Sequence, residues 1–250
     1  MAAGVSTAAE FLLAARQGGR RPAALPEHLR PRTIGDAYAI QDAVAARLGA
    51  IGGWKVGAKN ASAEPTCAPL PATLILRSPQ RFAPGRFAQN GVEAELAFTL
   101  SHDLPPRPQP YRAADLEAAV ATVHAAIEIV DSRFADLGAV DPLSVLADFQ
   151  SNGALVVGHG VALPPAFESS TQEVSLDIDG IRVVESRGSN PAGDVIALLA
   201  WLANHVAARN GGLRRGDLVT TGSWTGMRFV ACGTRIEAAF PGIGGADVGF

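Results

Sequence analysis

Residues 92–100 alternate strictly between two kinds of position. Val92, Ala94, Leu96, Phe98 and Leu100 share one parity, and Glu93, Glu95, Ala97 and Thr99 share the other. A period of two predicts a β-strand with one face in the core. Helical periodicity predicts helices over 5–16 and 33–48. Thr33 is placed to cap the second helix, whose Ile34, Ala37, Tyr38, Gln41 and Ala45 recur at helical spacing. Short strands are predicted at 54–57, 73–76, 124–130 and 153–158, with a loop over 60–71 between the first two and a helix over 113–121. Residues 174–183 read as a hairpin turning at Asp179-Gly180. The longest helix is predicted over 191–208, with Pro191 near its start and Asn210-Gly211-Gly212 closing it. Several short strands split by glycines follow. Helices first and strands after, with one late helix, point to an α+β fold with a mostly antiparallel, barrel-like or roll-like core.

Length and composition narrow the function classes. The chain has 250 residues, 48% hydrophobic and 18% charged, within the globular range. A formal net charge of −3 and the lack of a Lys/Arg-rich block give no electrostatic case for nucleic acid or an anionic membrane surface. The only cysteines, Cys67 and Cys232, form neither a redox pair nor a disulfide framework, so a reduced, cytoplasmic setting is expected. Residues 1–15 carry Glu10 and no basic leader, which does not read as a signal peptide. No apolar run approaches the length of a membrane span.

Three features carry candidate chemistry. Glu93 and Glu95 stand side by side on one strand face, either as a solvated edge or as oxygen ligands whose repulsion a divalent cation would relieve. Glu128 interrupts the apolar run 125–130 and must pair with a base such as Arg133 or bind a metal. Lys55 sits in a glycine-bracketed strand, open to a close-approaching ligand or simply solvated.

The chain resembles the 2-keto-4-pentenoate hydratase and 4-oxalocrotonate decarboxylase family of the fumarylacetoacetate hydrolase superfamily. The resemblance rests on Asp36-Ala37-Tyr38-Ala39-Ile40-Gln41, Gly53-Trp54-Lys55-Val56-Gly57, Val92-Glu93-Ala94-Glu95-Leu96-Ala97-Phe98 and Ala126-Ile127-Glu128-Ile129-Val130-Asp131-Ser132-Arg133. It continues through Ala147-Asp148 with Ser151, Asn190-Pro191, Ala200-Trp201-Leu202-Ala203-Asn204, Gly216-Asp217 and Thr221-Gly222-Ser223. No single motif decides it; their order and spacing do.

The resemblance implies a mixed β-roll metal-binding domain over 76–250 with a smaller N-terminal α/β part over 1–75, in a homo-oligomer. It implies Glu93, Glu95 and Glu128 as ligands of Mg²⁺ or Mn²⁺, and Lys55 as the active-site lysine. It further implies that Ser151, Thr221 and Ser223 line the substrate site. The implied substrate is a small 2-oxo or 2-hydroxydienoic acid from aromatic-compound catabolism, hydrated without an organic cofactor. The sequence departs from the family at Leu70-Pro71-Ala72, where an acidic residue is common, and at Phe149, where asparagine is common. A decarboxylase of a 2-oxo-3-enedioate is the nearest alternative, with Arg228 available for a second carboxylate. A C–C hydrolase of an acylpyruvate lacks its usual His–Glu pair here. A purely binding member is disfavoured by the cost of keeping Lys55 and three glutamates buried without use.

Overall fold

The computed structural model of the chain describes residues 2–18, 20–165 and 167–250. The elements run α1 (Ala2–Arg16), α2 (Ile34–Leu48), β1 (Ile51–Gly57), β2 (Thr66–Pro71), β3 (Ile75–Arg77), β4 (Gln80–Arg81), β5 (Gly91–Leu100), α3 (Ala113–Ala119), β6 (Val120–Val130), α4 (Pro142–Ala147) and β7 (Asn152–Val161). They continue with β8 (Glu173–Ile178), β9 (Ile181–Arg187), α5 (Val195–Asn210), β10 (Leu218–Ser223), β11 (Arg228–Phe229), β12 (Arg235–Phe240) and β13 (Gly244–Gly249). The alternating stretch is therefore β5, and it lies at the centre of the main sheet. That sheet runs β2-β1-β10-β5-β6-β7-β3, with β11 paired beside β5. The β1–β10 and β3–β7 pairs are parallel and the rest antiparallel. A second sheet, β4-β13-β12-β8-β9, packs on β6 and β7 through β12 and β13.

Both faces of β5 are covered. Val92, Ala94, Leu96, Phe98 and Leu100 are at most 1% exposed and join the main core. On the opposite face Ala97 joins a smaller cluster with Leu70, Ala126, Leu155, Val157 and Leu218. That cluster spans β2 to β7, strands far apart in the sheet order, so the sheet must roll up around it. The polar parity of β5 thus faces the inside of the roll.

Local chemistry accounts for the element ends. Thr33 and Asp36 form a capping box at α2: the Asp36 amide donates to Thr33 Oγ1 at 3.1 Å, and the Thr33 amide donates to Asp36 Oδ2 at 2.9 Å. Gly211, at φ 84°, ends α5 in the left-handed conformation that glycine adopts without penalty. Asp179 and Gly180 both have positive φ, as the tight turn between β8 and β9 requires.

Four expected boundaries shift. Residues 66–71 of the expected loop form β2; Pro69 and Pro71 are tolerated because β2 is the edge strand, where a missing N–H costs no ladder bond. The strand expected at 73–76 opens as a 3₁₀ turn at Ala72–Leu74 and is extended only over Ile75–Arg77. The helix expected from 191 begins at Val195, because the Asp194 carboxylate accepts the Ile196 and Ala197 amides and makes the cap there. Helix α3 stops at Ala119, and Val120 already belongs to β6. Among the described residues, no helix is long and apolar enough to cross a membrane.

Two glycines test this packing in opposite directions. A Cβ at Gly53 would lie 2.0 Å from the Leu218 carbonyl oxygen, directly across the β1–β10 pair. Gly53→Ala should lower unfolding free energy by about 1–3 kcal/mol or more, as overpacking does. A Cβ at Gly35, exposed on the first turn of α2, would meet only Thr33 Oγ1 at 3.6 Å. Gly35→Ala should be neutral or stabilising by about 0.5–1 kcal/mol, the usual helix gain over glycine. Denaturant unfolding of both variants checks the contrast.

Candidate metal centre and active site

Three strands supply the charged groups inside the roll. Glu93 and Glu95, two residues apart on β5, project from the same face. Glu128 on β6 stands directly opposite Glu93 in register. One carboxylate oxygen from each of the three lies within 4.8 Å of the others. Lys55 comes from β1, three strands from β6, where a flat sheet would separate the backbones by about 14 Å. Its ammonium nonetheless donates to both Glu128 oxygens, at 2.6 and 2.7 Å. Only the curl of the sheet makes that contact.

The electrostatics are those of crowded, buried like charges. Burial first, then the Glu128 charge, raises the pKa of Glu95 well above the ordinary carboxylate value, while Lys55 pulls it back. Glu93 is raised for the same leading reasons, with Lys55 and the Ser223 hydroxyl opposing. For Lys55, burial works to lower the pKa, but Glu128, Glu95 and Glu93 outweigh it and the net shift is upward. Three carboxylates against one ammonium leave two negative charges when all are ionised. The donors are oxygens only, which suits a hard divalent cation and not a thiophilic one. The residues present therefore fit such an ion.

Neighbouring groups fix these carboxylates. Thr220 Oγ1 donates to Glu95 Oε2, and the Gly222 amide donates to the same oxygen at 3.3 Å. Asn152 Nδ2 donates to Glu128 Oε1 at 2.8 Å. The Gln150 carbonyl accepts from Lys55 at 3.4 Å.

Asn152 follows a turn of uncommon backbone. Phe149, Gln150 and Ser151 have φ of 53°, 51° and 63°, three successive non-glycine residues in the left-handed region. Each such residue costs roughly 1–2 kcal/mol. Arg133 and Asp148 hold the turn together. The Arg133 guanidinium ion-pairs with Asp148 and also donates to the Asp148 carbonyl at 3.0 Å and to the Asn152 carbonyl at 2.8 Å. The Asp131 amide donates to the Ser151 carbonyl at 2.8 Å.

Of the residues singled out from sequence, Glu93, Glu95, Glu128 and Lys55 come together. Glu128 pairs with Lys55, while Arg133, its alternative partner, pairs with Asp148. Ser151 is buried in the left-handed turn, and its Oγ has no hydrogen-bond partner among the described residues. Ser223 faces Glu93. The Thr221 hydroxyl donates to the Leu96 carbonyl at 3.1 Å, and its neighbour Thr220 is the one that reaches a carboxylate. Arg228 is exposed on β11. Leu70, at the position where an acid was sought, lies in the apolar cluster inside the roll. Phe149 is buried beneath Arg16, whose guanidinium carbon is 5.4 Å from the ring centroid. Sequence reasoning missed Thr220, Gln150 and Asn152. The usable signal for Asn152 was a polar residue opening an otherwise apolar strand.

The chain is similar to known proteins in sequence and fold. The model of the fumarylacetoacetate (FAA) hydrolase C-terminal family matches residues 45–248. The 2-keto-4-pentenoate hydratase 2 of Dechloromonas aromatica is 30% identical over 257 aligned positions, covering 97% of this chain and 96% of that one. The 2-keto-4-pentenoate hydratase of Paraburkholderia xenovorans is 29% identical over 254, covering 97% and 93%. Among solved structures, the 4-oxalocrotonate decarboxylase from Pseudomonas putida G7, complexed with magnesium and adipate, superposes with a TM-score of 0.88 at 24% identity, covering 100% of this chain and 98% of that one. Sequence and fold agree across nearly the whole length, and the chain belongs to the fumarylacetoacetate hydrolase C-terminal family, in the branch of the 2-keto-4-pentenoate hydratases.

Proposed function

We propose that the protein is a divalent-metal-dependent hydratase that adds water to a 2-hydroxy-2,4-dienoate of the 2-keto-4-pentenoate type, yielding a 4-hydroxy-2-oxo acid. The observation that carries the reading is the convergence of Glu93, Glu95 and Glu128 beside Lys55 inside the roll. The named activity of the full-length relatives supports the reaction type. Glu93, Glu95 and Glu128 would hold Mg²⁺ or Mn²⁺, which when bound supplies Lewis-acid stabilisation of charge on a substrate oxygen.

The chain's own residues supply the rest. The reaction requires the 2-hydroxyl to lose its proton while C5 gains one, then water to add at C4 as C3 is protonated. Lys55 Nζ is the ammonium in direct contact with Glu128, and it would either transfer a proton or simply offset charge. The unpartnered Ser151 hydroxyl offers a hydrogen bond to substrate. Ala97, Ala126, Leu155 and Leu70 close the roll below the carboxylates and keep that end dry. We also infer that the chain works as a homo-oligomer in the cytoplasm; light scattering should give a multiple of 25.8 kDa, and a monomer alone would reject assembly.

Three further outcomes test the hydratase reading. Chelation should abolish loss of dienol absorbance, and Mg²⁺ or Mn²⁺ should restore it. Glu93→Gln, Glu95→Gln and Glu128→Gln should each weaken Mn²⁺ binding measured directly by titration; unchanged binding in all three would sink the assignment. Product analysis must show the hydroxy-oxo acid; release of CO₂ from a 2-oxo-3-enedioate without hydration would favour decarboxylation.

Lys55→Ala should lower kcat by roughly 10²–10⁴-fold if the ammonium transfers a proton. Lys55→Arg separates the roles, because arginine keeps the charge but does not give up its proton near neutrality. Recovery of most of the rate with arginine would make the group a charge neutraliser.

A further inference from the structure

A cavity of about 680 Å³ opens where the C-terminal ends of α1 and α2 meet the 83–88 loop and the end of β6. None of the three glutamates nor Lys55 lines it. Its charged lining is Arg16, Arg21, Arg86, Arg133 and a single acid, Asp131. Arg21 and Asp131 neutralise each other through a two-pronged ion pair, with Nη1 and Nη2 at 3.0 and 2.6 Å from the carboxylate oxygens. The remaining capacity of Asp131 is taken by the Ala88 and Gln89 amides, at 2.9 and 3.1 Å. Arg133 is matched by Asp148 behind the wall.

Arg16 and Arg86 remain. Among the described residues neither pairs with a carboxylate. The Arg16 side chain makes one long hydrogen bond, from Nη2 to the Asn152 carbonyl at 3.4 Å, and stacks over Phe149. Arg86 rests on the Phe87 ring at 5.5 Å. Two guanidinium groups therefore face one cavity with most of their donors unused. Burial, and then the nearby Arg133 charge, pushes the Arg16 pKa down to about 9, against Asp148 and Asp131; the group stays cationic at neutral pH, and those two acids are already paired with Arg133 and Arg21.

Leu48, Leu74 and Phe87 contribute apolar wall to the same cavity. The volume lies within the range of about 300–1,000 Å³ typical of small-molecule sites. Guanidinium forks match planar carboxylates, and an apolar wall favours a ligand with an apolar body over a bare inorganic anion.

We propose that this cavity binds a small organic carboxylate at a second site, separate from the triad, with Arg16 and Arg86 holding the acid group and Leu48, Leu74 and Phe87 receiving the apolar body. The inference does not depend on the hydratase reading.

Calorimetric titration of the metal-free full chain with benzoate in EDTA tests it. One saturable site per chain is expected. Arg86→Gln, on an exposed loop, leaves the core intact and should weaken binding about tenfold or more, the scale of one lost charge-assisted contact. Arg16→Gln should do the same, with its thermal unfolding followed to show that it folds. Glu93→Gln should bind benzoate as the native chain does. Inorganic phosphate should bind more weakly than benzoate. Absence of saturable benzoate binding, binding untouched by Arg86→Gln and Arg16→Gln, loss of binding in Glu93→Gln, or phosphate binding as tightly as benzoate would each overturn the proposal.

Discussion

The contact on which this architecture turns is the ion pair between Lys55 and Glu128. The two residues are 73 positions apart in sequence and three strands apart in the sheet, yet their charged atoms touch. Buried ion pairs add little net stability, because desolvation consumes most of the attraction. Removing either partner from the interior is another matter, since it strands a charge. The sheet is therefore committed to its curl, and that curl brings Glu93 and Glu95 into the same space. Function and fold share one constraint: the charged interior exists only while the sheet is rolled, and the rolled sheet must keep its charges matched.

Strand β5 carries two cores at once. Its large residues face the helices and the second sheet, while its small and acidic ones face inward. Alanine at 97 and 126 lies in the apolar cluster inside the roll, and the glutamates occupy the rest of that face. A sheet buried on both faces usually reads as a continuous apolar run. Here the inner face is split into an oily half and an acidic half, so the alternation survives in the sequence although both faces are largely covered.

That division explains what the sequence reveals. The period of two in 92–100 displays the strand and both glutamates, and the isolated carboxylate in 125–130 displays Glu128, because each signal is local. Lys55 is betrayed by its flanking glycines, of which Gly53 is required because a Cβ there would lie 2.0 Å from the Leu218 carbonyl oxygen. The partners of these groups leave no local trace. Arg133 was a natural candidate for Glu128 by proximity in sequence, but pairing is decided by which strands the curl brings together. Thr220 and Thr221 are chemically identical, and only strand parity shows which hydroxyl meets Glu95. Edge position rescues the prolines of β2, and edge position is a property of the whole sheet.

The left-handed turn at Phe149–Ser151 has a consequence for how the protein tolerates change. Its geometry is imposed from behind by Arg133 and Asp148, which touch neither Lys55 nor the three glutamates, yet it presents the Gln150 carbonyl to Lys55 and the Asn152 amide to Glu128. The precision of the charged interior is thus leased from a scaffold pair one layer away. In a mutational survey read out by activity alone, that pair would score as though it performed chemistry. In related chains the interior could be conserved to the last carboxylate and still drift out of alignment if this arginine–aspartate brace were lost.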